Sequence, residues 1–376
     1  MKPVGLRRRP GREAPDRGLR IIVDQTRNLF RFPIAYCSEC VSRGSCARRC
    51  RVSRHWFSPM KDLYQQTFSS VAEVQRHFER HHYICDERIA TCVYIAHNLQ
   101  KPVLVEGPAG VGKTELAKTT AQLLDVPLVR LQCYEGLDEA KALYEWKYAK
   151  QLLYTQLLKD KLGELLEGTH GLRESMAKIH AHEDLFYSED FLEPRPLYRA
   201  LHEPRGCVLL IDEIDKSDQE FEAFLLEVLS DFQVSIPELG TIVARVKPLV
   251  FLTSNNSREL GDALKRRCLH LHIPYPDAAL ESRILSHRVP ELSARLRTEV
   301  VTFVQQLREL DLKKVPSISE TIDWAHTLLL LHAADLDAGL VKMTLNILLK
   351  FETDIEAAGE HVRGFVDKAR QRAGTR

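Results

Sequence analysis

Eight residues, Gly107-Pro108-Ala109-Gly110-Val111-Gly112-Lys113-Thr114, limit the folds open to this chain more than any other stretch of it. They sit between an apolar run, Pro102-Val103-Leu104-Val105, and a segment with helical spacing through Leu116, Ala117, Thr120 and Leu123. A strand that turns through such a loop into a helix aims successive backbone N–H groups at phosphate oxygens and adds the positive end of the helix dipole. A side chain at Gly107, Gly110 or Gly112 would block that approach or forbid the turn. Lys113 then reaches the terminal phosphates of a nucleotide, and the Thr114 hydroxyl is a Mg²⁺ ligand. The expectation is a phosphate loop, Gly107 to Thr114, that binds ATP and Mg²⁺.

Further apolar runs at 127–131, 208–211 and 249–253 read as strands, and their continuity implies burial on both faces of a parallel sheet. Leu269 to Ile273 alternates as a half-buried edge strand does. Helical spacing precedes the loop at Val71, Val74 and Phe78 and again at Ile89, Cys92, Val93 and Ala96. Residues 138–200 are mostly helical in pattern, with Leu153, Leu157, Leu158 and Leu162 on one stripe. Ser217-Asp218-Gln219-Glu220 reads as a capping box opening the next helix. Residues 234–236 and 241–243 read as a hairpin. Past Pro274 and Pro276 the pattern is helical over 299–310, 320–332 and 340–351, and Leu328 to Leu331 reads as a buried helix. The fold class is α/β: a phosphate-loop core with a parallel sheet flanked by helices over 60–276, then an all-helical lid domain over 277–376.

Chemistry gathers where strands end. Asp212-Glu213 follows a buried strand directly, at the end where open α/β sheets bind ligands. Asp212 suits Mg²⁺, through water, and Glu213 suits polarising the water that attacks the γ-phosphate. Asn255, after the next strand, can orient that water through its amide, although an Asn-rich turn would look the same. Arg266 and Arg267 lie beyond the strand ends, so they either enter a neighbouring subunit's pocket as an arginine finger or form a surface basic pair.

Net charge is +1 over 376 residues, but residues 1–59 hold 14 Lys+Arg against 4 Asp+Glu, leaving 39 against 48 in the rest. This basic arm admits nucleic acid or an acidic partner, though such runs are usually solvated. Cys37, Cys40, Cys46 and Cys50 in the arm have a spacing compatible with a zinc site. Free thiols, or a start assigned upstream of Met60, are the other readings. The remaining five cysteines are scattered, unlike a secreted disulfide framework. No apolar run reaches the roughly 18 residues of a membrane span, and no signal-peptide pattern opens the chain. A cytoplasmic protein that does not engage membranes is expected.

Taken together, the loop, Asp212-Glu213, Asn255, the paired arginines and the trailing helices resemble AAA+ ATPases over about residues 68–360. Within them the chain is similar to the MoxR group, CoxD-like branch. The similarity is carried by Leu131-Gln132-Cys133-Tyr134-Glu135-Gly136-Leu137-Asp138, Ala142-Leu143-Tyr144-Glu145-Trp146, Glu220-Phe221-Glu222-Ala223-Phe224-Leu225-Leu226-Glu227 and Ser319-Glu320-Thr321-Ile322-Asp323-Trp324. Asp262 to Cys268 extends it. The resemblance implies that Glu213 is the water-activating carboxylate, Asn255 the γ-phosphate sensor and Arg266 or Arg267 the finger acting in trans. It implies a ring, expected to be a hexamer, that remodels a protein client. The client expected is a molybdenum hydroxylase of the carbon monoxide dehydrogenase type, with a von Willebrand A-domain protein as adaptor. A nucleotide-regulated scaffold and a nucleic-acid remodeller are the alternatives. One departure stands out: the lid arginine such relatives carry falls in Ser317-Ile318-Ser319-Glu320-Thr321, which has none, leaving Lys313 or Lys314 as substitute cations.

Overall fold

The computed structural model describes residues 68–157, 189–236 and 240–374. The basic arm, with Cys37, Cys40, Cys46 and Cys50, lies outside the described residues, as does the 237–239 turn of the expected hairpin. In chain order the elements are α1 (Val71–Arg80), α2 (Glu87–Leu99), β1 (Val103–Glu106), α3 (Lys113–Leu124), β2 (Leu128–Gln132), α4 (Glu139–Leu143), β3 (Tyr144–Trp146) and α5 (Tyr148–Leu157). Then follow β4 (Leu192–Pro194), α6 (Pro196–His202), β5 (Val208–Asp212), α7 (Gln219–Asp231), β6 (Gln233–Ile236), β7 (Gly240–Val243), β8 (Leu249–Ser254), α8 (Asp262–Arg267) and β9 (Leu269–His272). Five helices close the chain: α9 (Ala278–Arg288), α10 (Ala294–Leu307), α11 (Ile318–Leu330), α12 (Ala338–Leu348) and α13 (Glu352–Gly374).

Five strands form one sheet in the order β2-β5-β8-β1-β9, every neighbouring pair parallel. Every residue of β5 and β8 is buried, as the apolar runs 208–211 and 249–252 that make up most of them require of strands covered on both faces. Alternation along the strands sorts their side chains into two cores. Leu104, Leu209, Ile211, Val250 and Leu252 join the core that includes residues of α4, α6 and α7. Val103, Val105, Leu210 and Phe251 join the one formed with α1, α2 and α3. The edge strands β2 and β9 alternate between buried and exposed. Small antiparallel ribbons, β3 with β4 and β6 with β7, stand apart from the sheet.

Two sequence expectations need correction. The cap of α7 is Asp218, whose Oδ1 accepts from Phe221 N at 2.8 Å, while the Ser217 hydroxyl donates back to the Ile214 carbonyl. Asp is as good a cap as Ser, and the buried Ser217 is turned inward by the preceding turn. The box pattern instead forms at α11, where Ser317 accepts from Ser319 N and Glu320 reaches back to Ser317 N. Leu328 to Leu331 is not buried throughout: Leu328 is buried, but Leu330 is 79% and Leu331 51% exposed. Four successive residues span more than a full helical turn, so one packed face cannot cover all of them.

The C-terminal helices build a third core around Phe303, Trp324, Leu328, Leu345 and Val362, with Trp324 Nε1 donating to Thr344 Oγ1 at 2.9 Å. A buried ion pair crosses it: Arg308 Nη1 and Nη2 donate to Glu281 at 2.9 and 2.7 Å, with side-chain exposures of 8% and 0%. Thr321 and Gln305 also donate to Glu281, and Arg308 Nε donates to the Pro316 carbonyl while its guanidinium lies 5.4 Å from the centre of the Tyr275 ring. One carboxylate therefore ties α9, α10 and α11 together and fixes them to the 274–276 linker. Removing one partner of such a pair leaves a buried charge uncompensated. Arg308→Ala is expected to cost about 3–5 kcal/mol in urea denaturation followed by tryptophan fluorescence, and Arg308→Met with Glu281→Leu to cost less. Equal losses would contradict the assignment.

Candidate functional site

Because β8 lies between β1 and β5, the three segments leaving their C-terminal ends are neighbours. The glycine loop leaves β1, Asn255 follows β8, and Asp212 and Glu213 end β5. The loop starts in a confined space. Gly107 has φ +151°, its N–H donates to the Ser254 carbonyl at 3.3 Å, and a Cβ there would come within 2.1 Å of the Ile273 carbonyl oxygen. At Gly110, φ is +76° and a Cβ would lie 2.1 Å from Ser317 Oγ. These positions require glycine for two separate reasons, left-handed backbone and close packing.

Lys113 begins α3 and folds back, with Nζ donating to the carbonyls of Gly107 and Pro108, both at 2.6 Å, and to Asn255 Oδ1 at 2.8 Å. Burial holds its pKa below the ordinary lysine value, opposed by the carboxylates of Asp215, Asp212 and Glu213. Thr114 Oγ1 donates to Asp212 Oδ1 at 3.1 Å, and the same oxygen accepts from Thr253 Oγ1 at 2.5 Å. Glu213 occupies the left-handed region at φ 57°, a costly conformation for a residue with a Cβ. Its N–H donates to Thr253 Oγ1 at 2.9 Å, and its Oε2 accepts from Gln132 at 3.0 Å and Lys216 at 2.6 Å. Lys113, Thr114, Asp212, Glu213 and Asn255, expected from sequence to share a site, line one cavity of about 250 Å³ with Ala109, Gly110 and Gly112.

Several contributors were not singled out in the sequence. Asp215 anchors the Asn255 loop, its Oδ2 accepting from Ser257 N and Oγ at 3.0 and 2.5 Å. Burial pushes its pKa up, but those bonds and the Asn255 N–H outweigh it and hold the carboxyl below its ordinary range. Glu222 and Arg258 pair at 2.5 Å and secure the far side of that loop, with Gly261 N–H on Glu222. Asp215 lies three residues past Asp212, on the turn that follows β5. The Arg258 contact joins residues that no local spacing connects.

A second cavity, of about 180 Å³, opens beside the first and shares Gly110, Gly112, Glu115 and Ser319 with it. Its walls are mainly apolar, including Ile84, Ile273, Leu280 and Ile322, and the buried Tyr83 beside them has its pKa raised by desolvation. An apolar compartment adjoining a phosphate compartment fits a flat base. It is assembled from the α1–α2 turn, the glycine loop, the 273–276 linker, α9 and α11, which is why no single stretch of sequence announces it.

The C-terminal helices meet the loop and α3 directly, with Ser319 Oγ donating to the Gly110 carbonyl at 3.2 Å and Arg288 pairing with Glu115 at 3.4 Å. Lys313 and Lys314, the expected substitutes for the absent lid arginine, are directed elsewhere. Lys314 pairs with Glu320 at 3.6 Å and Lys313 lies 5.9 Å from the centre of the Phe351 ring. Neither lines either cavity. Arg266 and Arg267, at the end of α8, also stand outside both. Both are exposed, and Arg267 is tethered to α7 by Nε donating to Ser230 Oγ at 2.6 Å.

With this geometry in view, residues 102–268 match the AAA domain family, dynein-related subfamily. Among curated proteins, uncharacterized proteins of Staphylococcus aureus strains COL and MW2 are each 23% identical over 248 residues, covering 64% of this chain and 80% of theirs. Among solved structures, the Thermotoga maritima RuvB Holliday junction branch migration motor is 15% identical, covers 75% of this chain and 72% of its own, and superposes with a TM-score of 0.39.

The glycine geometry has a direct test. Gly107→Ala is expected to lower stability by about 2–4 kcal/mol and weaken nucleotide binding, because the methyl meets a backbone carbonyl. Gly136→Ala, at φ +78° with nothing within 4 Å, is expected to cost only about 1 kcal/mol. Chemical denaturation of the two variants checks this, and equal costs would contradict it.

Proposed function

We propose that this chain is a Mg²⁺-dependent ATPase that hydrolyses ATP to ADP and phosphate. The observation that carries the reading is the hydrogen-bonded cluster of Lys113, Thr114, Asp212, Glu213 and Asn255 at the ends of three adjacent parallel strands. The oxygen ligands suit a hard divalent cation: the Thr114 hydroxyl and an Asp212 carboxylate oxygen lie 3.1 Å apart. Thr114 and Asp212 would hold Mg²⁺, which when bound neutralises phosphate charge. The base occupies the apolar cavity, and backbone N–H groups from Gly107 to Thr114 cradle the phosphates.

In the reaction Glu213 accepts a proton from water as the water oxygen bonds to the γ-phosphorus and the bond to the leaving ADP oxygen breaks. Gln132 and Lys216 hold the Glu213 carboxylate from one side. Lys113 exchanges its carbonyl and Asn255 partners for phosphate oxygens, releasing the Asn255 amide to orient the attacking water. Among the described residues no arginine lines the phosphate cavity. A neighbouring subunit in a ring, hexameric by resemblance, therefore supplies the guanidinium. Arg266 is the better placed of the expected pair, since Arg267 is engaged by Ser230. Coupling of the lid runs through Ser319 on Gly110 and Arg288 on Glu115.

The sequence runs similar to the MoxR group, CoxD-like branch, support a chaperone role on a protein client. We infer a molybdenum hydroxylase of the carbon monoxide dehydrogenase type, with a von Willebrand A-domain adaptor. A domain core over 60–276, a lid over 277–376 and a cytoplasmic location belong to the same reading.

Glu213→Gln is expected to bind ATP with little change and to lose at least a hundredfold in turnover. Client maturation should fail with it; maturation by this variant would favour a nucleotide-regulated scaffold instead. Arg266→Ala is expected to lower turnover by about 10³-fold with nucleotide affinity retained, and mixing it with Lys113→Ala chains should restore part of the activity. Absence of restoration would contradict a site shared between subunits.

A further inference from the structure

β2 is an edge strand whose alternation buries Val129 and Leu131 and turns Arg130 the other way. Such a residue is ordinarily solvated. Here the guanidinium, with its side chain 50% exposed, reaches across to Asp212, whose side chain is 5% exposed. Nε and Nη2 both donate to Oδ2, at 3.0 and 2.5 Å, and Nη2 also donates to Gln132 Oε1 at 2.6 Å. The other carboxylate oxygen, Oδ1, accepts from Thr253 and Thr114.

Charge in this corner is unevenly matched. Asp212, Glu213 and Asp215 converge, while Lys113 donates only to carbonyl and amide oxygens and Lys216 is engaged with Glu213. Among the described residues Arg130 is the ion-pair partner of Asp212. A buried carboxylate needs a cation or several donors, so Arg130 supplies here what a divalent ion would otherwise supply.

We propose that Arg130 is a positioning residue, the built-in counter-cation of Asp212, which yields the carboxylate to Mg²⁺ on nucleotide binding and so sets the Mg²⁺ concentration the site requires. This rests on the Mg²⁺–nucleotide reading given above. Arg130 holds Asp212 oriented towards Thr114 before nucleotide arrives. The cost is competition: the guanidinium and the ion draw on the same carboxylate. Its half-exposed side chain has room to move into solvent without opening the core.

The test uses the full chain and a fluorescent ADP analogue, titrated with Mg²⁺ at fixed nucleotide and compared with binding in a chelator. Arg130→Gln is expected to lower the Mg²⁺ midpoint about fivefold, the scale of an ion pair with one exposed partner, and to change metal-free affinity less than about twofold. Arg130→Lys, which retains a charge but not the fork, is expected to give a smaller drop. An unchanged or raised midpoint in Arg130→Gln, with the unmutated chain showing Mg²⁺-dependent binding, overturns the role of Arg130 alone. Should Arg130→Gln fail to fold, a midpoint in Arg130→Lys at or above that of the unmutated chain overturns it. If the unmutated chain binds the analogue with no Mg²⁺ dependence, the metal reading falls, and this proposal with it.

Discussion

The position of β8 between β1 and β5 is the constraint from which the site follows. Parallel pairing sends all three strands out of the sheet at the same end, so whatever follows each of them meets at one edge. That is how Lys113 reaches Asn255, 142 residues along the chain, and Thr114 reaches Asp212, 98 residues along it. The pairing is in turn secured by burial. β5 and β8 have no exposed residue, and displacing either would open both cores. Loop geometry depends on the same frame: Gly107 is pressed between the Ser254 carbonyl, which takes its N–H, and the Ile273 carbonyl.

Attachment of the C-terminal helices is the second level of organisation. Glu281 and Arg308 form a buried, multiply bonded node that fixes α9, α10 and α11 and holds the 274–276 linker. This sets the start of α11 over the glycine loop, where Ser317 occupies the space a side chain at Gly110 would need. The rigid node lies behind the lid, whereas the contacts in front, Ser319 to Gly110 and Arg288 to Glu115, are single and partly exposed. Such a distribution lets the front contacts exchange while the lid keeps its internal structure.

Much of the sheet was legible in the sequence because buried parallel strands are written as continuous apolar runs, and the runs at 208–211 and 249–253 fall on β5 and β8. The grouping of the glycine loop, Asp212, Glu213 and Asn255 was legible because each follows such a run directly. What escaped depends on long-range packing. Arg130 falls in the run 127–131, read as buried on both faces, whereas β2 is an edge strand that leaves Arg130 exposed, and only its lateral pairing with β5 puts that side chain on Asp212. The apolar cavity draws on five separate segments. The choice of Asp218 over Ser217 as a cap turns on which side chain the preceding turn leaves outside. Leu330 and Leu331 are apolar without being covered, which composition alone does not distinguish from core.

The central claim is that the strand-end cluster is a nucleotide site. Calorimetric titration of the purified chain with a slowly hydrolysed ATP analogue and Mg²⁺ tests it most directly. The account requires about one site per chain, with binding abolished or weakened at least tenfold in Lys113→Ala at unchanged fold. Absence of binding by the unmutated chain, or equal binding by Lys113→Ala, would contradict it.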